Sequence, residues 1–308
     1  MRQMARFVLS RALKGISIGG VLVAAALPMQ TVAGNHQPDL KEFKVSEIKP
    51  AMYLLQGKGG NIFVLDHNKS LLVIDNDYAE NSPLLKKTLD DMGTAQYVIN
   101  THWHGDHTGG NKAMGEESII VAHDNVRKRL SSPQEVKLFG MKTQAQPEVA
   151  LPEVTYDNNL SIHHGGQHFK VSHFATGHTD GDSVVFIQPA NIVHMGDHYF
   201  NGIFPFVDVE NGGSVKGVAK NVEAILGLID DDTIVIPGHG ALSNKQELTA
   251  FLDMLNGTTA FVEASLKQGL TLKQIQDKGL PEEWKPWGNG FLNEPTWISI
   301  VVSSLQSN

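Results

Sequence analysis

The stretch Thr101-His-Trp-His-Gly-Asp-His-Thr-Gly-Gly110 holds three imidazoles and one carboxylate within six positions: His102, His104, Asp106 and His107. Just upstream, Ala95-Gln-Tyr-Val-Ile-Asn100 reads as a short buried strand. The cluster therefore falls on the loop at a strand's carboxyl end, where open α/β sheets place their ligands. His102 and His104 are two residues apart, so an extended backbone points both the same way. Gly105 is expected to let the chain turn sharply and send Asp106 and His107 to a second point. Neutral imidazole nitrogens with a carboxylate suit zinc and related borderline metals. The competing reading, a solvated His-rich loop, fits poorly with so many ligating groups in so few positions.

The pattern His-x-His-x-Asp-His resembles the signature of the metallo-β-lactamase superfamily, and the other motifs of that family follow in order. Ser70-Leu-Leu-Val-Ile-Asp75 is a strand ending in Asp, and the resemblance makes Asp75 the residue that orients the His loop. Ala175-Thr-Gly-His-Thr-Asp-Gly-Asp-Ser183 holds His178 at a loop tip, and the resemblance implies that it completes a three-His site with His102 and His104. Val193-His-Met-Gly-Asp-His-Tyr199 supplies Asp197, which by resemblance bridges two metals. Ile234-Val-Ile-Pro-Gly-His-Gly240 supplies His239, which by resemblance is the last ligand of the second metal. A Gly-His-Gly turn or a Gly-Asp pair alone says little; five features in order, each after a strand-like run, say much more.

The implied ligand set is chemically coherent. One site takes His102, His104 and His178 and leaves an open position, as a catalytic zinc requires. The other takes Asp106, His107 and His239, with Asp197 shared between them. Such a set implies two Zn²⁺ per chain about 3.5–4 Å apart around one activated water, with Mn or Fe as other candidates. Two dications against two carboxylates and a hydroxide leave about one positive charge, suited to a polarised carbonyl. Asp106 is placed to orient that nucleophile and shuttle a proton. Tyr199 follows the bridging Asp and is a candidate oxyanion donor, with a core or rim aromatic as the competing reading.

The remaining histidines have plainer readings. His163, His164, His168 and His173 lie in or beside a hairpin around Gly165 and Gly166 and are expected to be exposed or cross-strand residues. His194 alternates inside a strand and reads as a core residue. His123 opens a helix and could line the pocket, and His198 could face the substrate.

At 308 residues and 41% apolar, the chain is long enough for one large core. Residues 1–33 read as a secretory signal, with Arg2, Arg6, Arg11 and Lys14 ahead of the apolar run Ile16–Leu27 and a small-residue cleavage site at Thr31-Val-Ala33. Kept uncleaved, this segment would act as an anchor; removed, it leaves nothing expected to insert in a membrane. Residues 1–33 hold four basic and no acidic side chains, so their loss takes the net charge from −8 to −12, which disfavours nucleic acid and anionic lipid as partners. Cysteine is absent, which excludes disulfides and the Cys metal ligand of one β-lactamase subclass, and is compatible with a periplasmic or secreted location.

The rest reads as α/β. Strands are expected at Met52–Gln56, Ile62–Leu65, Leu71–Ile74, Tyr97–Ile99, Ile119–Ala122, Ser161–His164, Phe169–Phe174, Val184–Ile187, Ile192–Met195 and Thr233–Ile236. Helices are expected at Pro83–Met92, Asp124–Leu130, Val215–Ile229 and Lys245–Gln268, with Ser82 capping the first. Gln134–Pro152 reads as an irregular excursion that, with Asn201–Val207, could wall the pocket and favour substrates with hydrophobic parts. The resemblance implies an αββα sandwich of the metallo-β-lactamase type, two mixed sheets face to face with helices outside. Residues 34–268 would form the catalytic domain and 269–308 a helical extension packed on it, with a homodimer contact as an alternative role for the tail.

The expected activity is binuclear hydrolysis of a small molecule bearing a carbonyl: β-lactam, lactone, ester or thioester. The ligand set is similar to the β-lactamase subclass that uses only His and Asp, but Asp197 makes it equally similar to glyoxalase II and to lactonases. Two other classes stand beside it: an iron-dependent oxidoreductase resembling persulfide dioxygenases, and a non-catalytic binding protein on the same scaffold.

Overall fold

The computed structural model describes residues 40–307; the signal reading of residues 1–33 lies outside them. In chain order the strands are β1 (Lys44–Lys49), β2 (Met52–Gln56), β3 (Ile62–His67), β4 (Ser70–Ile74), β5 (Thr94–Ile99), β6 (Ile119–His123), β7 (Gln134–Val136), β8 (Met141–Thr143), β9 (Val154–Tyr156), β10 (Asn159–His164), β11 (Gln167–His173), β12 (Ser183–Gln188), β13 (Ile192–His194) and β14 (Ile234–Ile236). The helices are α1 (Ser82–Met92), α2 (Gly105–Thr108), α3 (Asn111–Met114), α4 (Asp124–Leu130), α5 (Val215–Leu226), α6 (Lys245–Lys267), α7 (Leu272–Lys278) and α8 (Glu294–Gln306).

One sheet runs β1-β2-β3-β4-β5-β6-β9 and the other β10-β11-β12-β13-β14. Both are mixed: β1 to β4 are antiparallel and β4-β5-β6-β9 parallel, while only β13-β14 is parallel in the second. Period-two side chains give each sheet two apolar faces. The inner faces meet in one core, with Leu54, Phe63 and Leu72 packed with Phe169, Val185 and Ile187. Outside the first sheet, Val64, Leu71 and Val73 pack on Leu85 and Leu89 of α1. Outside the second, Val184 and Val235 pack on α5, α6 and α8 through Val218, Val222, Phe251 and Trp297. This is the expected αββα sandwich. Among the described residues, no helix is long and apolar enough to cross a membrane.

Several local expectations need correction. Ser82 is the first residue of α1, with φ −54° and ψ −41°, rather than its cap. A 3-10 turn over Ala79–Asn81 runs straight into the helix, so the Ser82 backbone is already helical. Helix α5 stops at Leu226, where Gly227 follows, three residues short of expectation. Gln134–Pro152 is more regular than its composition suggests, since β7 and β8 pair as a small antiparallel hairpin. Gly105 has no left-handed φ and open space where a Cβ would stand. The chain is redirected by a change from extended backbone at His104, φ −65° and ψ 150°, to helix from Gly105 onward.

Candidate metal centre

Every ligand candidate sits just past a strand or on a turn that follows one. His102 and His104 follow β5, Asp106 and His107 lie in α2, His178 is on the loop between β11 and β12, Asp197 follows β13 and His239 follows β14. Strand ends of both sheets thus converge on one place. Four donor atoms, from His102, His104, His178 and Asp197, lie within 4.8 Å of one another, and so do three from Asp106, His107 and His239. Asp197 joins the groups: Oδ2 is 3.4 Å from His178 Nε2 and 3.8 Å from His102 Nε2, while Oδ1 is 3.0 Å from His107 Nε2 and 3.5 Å from His239 Nε2.

The outer nitrogens of four imidazoles are committed elsewhere, which sets their tautomers. His107 Nδ1 donates to Asp75 Oδ2 at 2.7 Å, His104 Nε2 to Asp208 Oδ2 at 3.0 Å and His178 Nδ1 to the Phe206 carbonyl at 2.7 Å. Thr101 Oγ1 donates to Asp75 Oδ2 at 2.8 Å and so accepts from His102 Nδ1 at 3.1 Å. The inward nitrogens of these rings therefore present lone pairs when neutral. Two such lone pairs, on His178 Nε2 and His104 Nδ1, face each other at 2.8 Å, and His102 Nε2 stands 3.1 Å from His104 Nδ1. Facing lone pairs repel unless a cation lies between them. Asp197 Oδ1 is buried and faced only by imidazole nitrogens, His107 Nε2 at 3.0 Å and His239 Nε2 at 3.5 Å, so it is satisfied only if an imidazolium or a metal cation stands there. Converging imidazole lone pairs around a buried carboxylate fit divalent metal ions.

The electrostatics divide the groups. Burial holds His102 well below its ordinary value and His178 down at about 4, so both are neutral at pH 7. Burial also acts downward on His239, but Asp197 and Asp106 outweigh it and raise this imidazole to about 9. Burial likewise opposes the charged form of His107, yet Asp197, Asp106 and Asp75 lift it well above the ordinary range. Burial would raise the Asp106 carboxyl, but His107 and His239 hold it well below the usual carboxylate range. The open side is at Asp106 and His239 of the second group, whose side chains are 17% and 22% exposed, while His107 is fully buried and His102, His104 and His178 are 0–9% exposed.

All seven metal candidates come together, and Asp75 stands where it was expected, accepting from Thr101 N at 2.8 Å as well as from His107. Tyr199 does not join them. Its ring is buried against Phe251 and its hydroxyl is 2.8 Å from both Asn201 Oδ1 and Ser243 Oγ, so the expectation that it serves as an oxyanion donor fails in favour of core packing. His198 is also fully buried, with Nε2 3.0 Å from Asn221 Nδ2, and does not face a substrate. His123 caps α4, accepting from Asn125 N, and stacks on His173. His163 and His168 are a stacked cross-strand pair, and His194 is a core residue bonded to the Asn61 carbonyl. Sequence reasoning passed over Asp208, which fixes His104 and is itself held by Asn211 Nδ2 at 2.9 and 3.0 Å. Its only advance signal was its place directly after the expected pocket-wall segment Asn201–Val207.

The family match for the metallo-beta-lactamase superfamily spans residues 55–239, more than half of the chain and all seven ligand candidates. A hydroxyacylglutathione hydrolase of Polaromonas sp. is 28% identical over 154 residues, which is 49% of this chain and 51% of the relative. The chain thus spans about half the length of that relative. Among solved structures, a double mutant of the sec-alkyl sulfatase PisA1 has a TM-score of 0.64 at 16% identity, covering 86% of this chain and 50% of that one. The DIM-1 metallo-beta-lactamase has a TM-score of 0.56 at 17% identity, covering 71% and 99%. At such identities the structures speak for the fold alone. With the family match, the two-sheet sandwich and the His/Asp clusters in agreement, the chain belongs to the metallo-beta-lactamase superfamily.

Proposed function

We propose that this protein is a hydrolase that uses two divalent cations, zinc in the first instance, to open a carbonyl ester, lactone, thioester or β-lactam amide. The observation that carries this reading is Asp197, whose two oxygens face different ligand groups. His102, His104 and His178 would hold one cation, and Asp106, His107 and His239 the other. Held there, the cations would polarise a carbonyl oxygen and lower the pKa of a bound water to about 7. Asp106 is ionised, lies on the open side and is 3.2 Å from His239; as a hydrogen-bond acceptor there it would orient the attacking water. Asp75, Thr101, Asp208 and the Phe206 carbonyl hold the imidazoles so that their lone pairs stay inward.

Relatives and fold neighbours are named for different substrates, so the substrate must come from assay. Purified protein would be stripped with a chelator, reloaded with zinc and given a β-lactam, a homoserine lactone and a thioester. Turnover of at least one should depend on zinc and be abolished in His102→Ala and Asp106→Ala, both still folding cooperatively. Unchanged turnover in either variant would contradict the proposal, and one iron per chain with oxygen uptake would replace it with the oxidoreductase reading.

A further inference from the structure

An arc of four phenylalanines borders the metal centre, and two of them are exposed to an extent that packing does not explain. Phe206 lies 5.7 Å from the rings of both His104 and His178. Phe139 crosses it edge-on at 4.8 Å, and Phe291 follows at 6.3 Å from Phe139. Phe200 closes the arc, 6.1 Å from Phe291 and stacked on His239 at 5.0 Å. The arc therefore begins on ligands of one candidate site and ends on a ligand of the other. Phe206 and Phe200 are buried, but Phe139 and Phe291 are 42% and 56% exposed.

The exposed pair come from segments that supply no metal ligand. Phe139 is on the turn between β7 and β8, and Phe291 is on the loop ahead of α8. A single exposed Phe is ordinary, whereas contiguous exposed aromatic surface beside a reactive centre marks a binding surface. Two cations on the hairpin side, Lys137 and Lys142, are paired with Glu210 and Glu135, so the arc offers ring faces and edges rather than free positive charge.

Resting on the hydrolase reading above, we infer that Phe139, Phe206 and Phe291 form an apolar subsite that takes an alkyl or aryl group attached to the scissile carbonyl. The preferred substrate is then an acyl compound with a sizeable hydrophobic arm, and the C-terminal segment helps select it.

The test measures affinity rather than turnover, so that it stands apart from the catalytic claim. Dissociation constants of straight-chain alkyl hydroxamates, from acetyl to octanoyl, would be measured by calorimetry on protein whose zinc content has been checked. Affinity should rise by up to about fourfold per methylene, and by less than twofold per methylene in the Phe139→Ser/Phe291→Ser double variant. Phe139→Leu/Phe291→Leu should recover much of the dependence, which a merely unfolded variant would not. A flat series in the wild-type protein, or an unchanged slope in the double serine variant, would overturn the subsite. So would a dimer or a vesicle-bound form that the double variant abolishes while the slope persists. A steep slope without hydrolysis of any carbonyl compound would leave the subsite standing and remove the hydrolase reading.

Discussion

Asp75 Oδ2 and His107 Nδ1 are 2.7 Å apart although 32 residues separate them in sequence. Asp75 makes this contact from a left-handed backbone, φ 62°, at the end of β4. That conformation is uncommon for a residue with a Cβ, though Asp and Asn tolerate it best. The same carboxylate accepts from the Thr101 backbone and hydroxyl, so one side chain fixes ligands of both candidate sites. Asp75→Asn keeps the shape and the backbone preference but cannot accept from all three donors. Its metal affinity, measured by competition with a chelator, should fall about 10–100-fold; unchanged affinity would mean that the His loop is set by backbone alone.

Metal loading should be linked to pH differently at the two ligand groups. His239, at about 9, and His107, raised well above its ordinary value, carry protons at pH 7 in the metal-free protein, while His102 and His178 do not. Filling the second group must expel protons, so its affinity should climb roughly tenfold per pH unit per proton released from 7 towards 9. The first group should show no such rise from His102 or His178. Calorimetry in buffers of different ionisation enthalpy reads the proton count directly. The sign for metal-free stability follows: the His239 cation stabilises the fold fully below its unfolded value of about 6.5, and that contribution is lost as pH rises through 9.

Gly238 is needed for space. A Cβ there would stand 2.0 Å from Asp197 Oδ1 and 2.7 Å from the Gly196 carbonyl oxygen. Gly238→Ala must therefore displace the shared carboxylate, and a misplacement of about 1 Å can cost 10²-fold in rate. Zinc stoichiometry and turnover should both fall while the far-ultraviolet spectrum stays native. Full activity would show that Asp197 does not need its present position.

Tyr199→Phe separates a core role from a catalytic one. Losing the hydroxyl that meets Asn201 and Ser243 should lower stability by about 1 kcal/mol and leave kcat within about twofold. A large fall in kcat with unchanged stability would reinstate Tyr199 at the reaction.

The candidate metal centre was legible in the sequence because its seven candidate ligands stand next to the strongest local signals in the chain. Each follows an apolar strand-like run, and most have a glycine neighbour that closes the turn. The sandwich was legible for the same reason, since β3 and β4 carry the unbroken apolar runs Ile62-Phe-Val-Leu65 and Leu71-Leu-Val-Ile74. The misses have physical causes. Strands β7, β8 and β9 have three residues each, Gln134-Glu-Val136, Met141-Lys-Thr143 and Val154-Thr-Tyr156, too short for a period and, unlike β13 and β14, without a continuous apolar pair to mark them. Asp208 and Tyr199 differ only in which way the chain folds after β13. That direction is set by packing of the 200–208 segment against α6, α8 and the Trp287 carbonyl, which accepts from Phe204 N. A polar residue near a site and a polar residue in the site look alike until such long-range contacts are made.

The most direct test is a zinc-loaded crystal structure with anomalous data collected on both sides of the zinc edge. The account predicts two zinc peaks per chain, one within bonding distance of His102, His104 and His178, the other of Asp106, His107 and His239, with Asp197 between them. A single peak, or zinc bound with Asp197 turned away from either group, would contradict it.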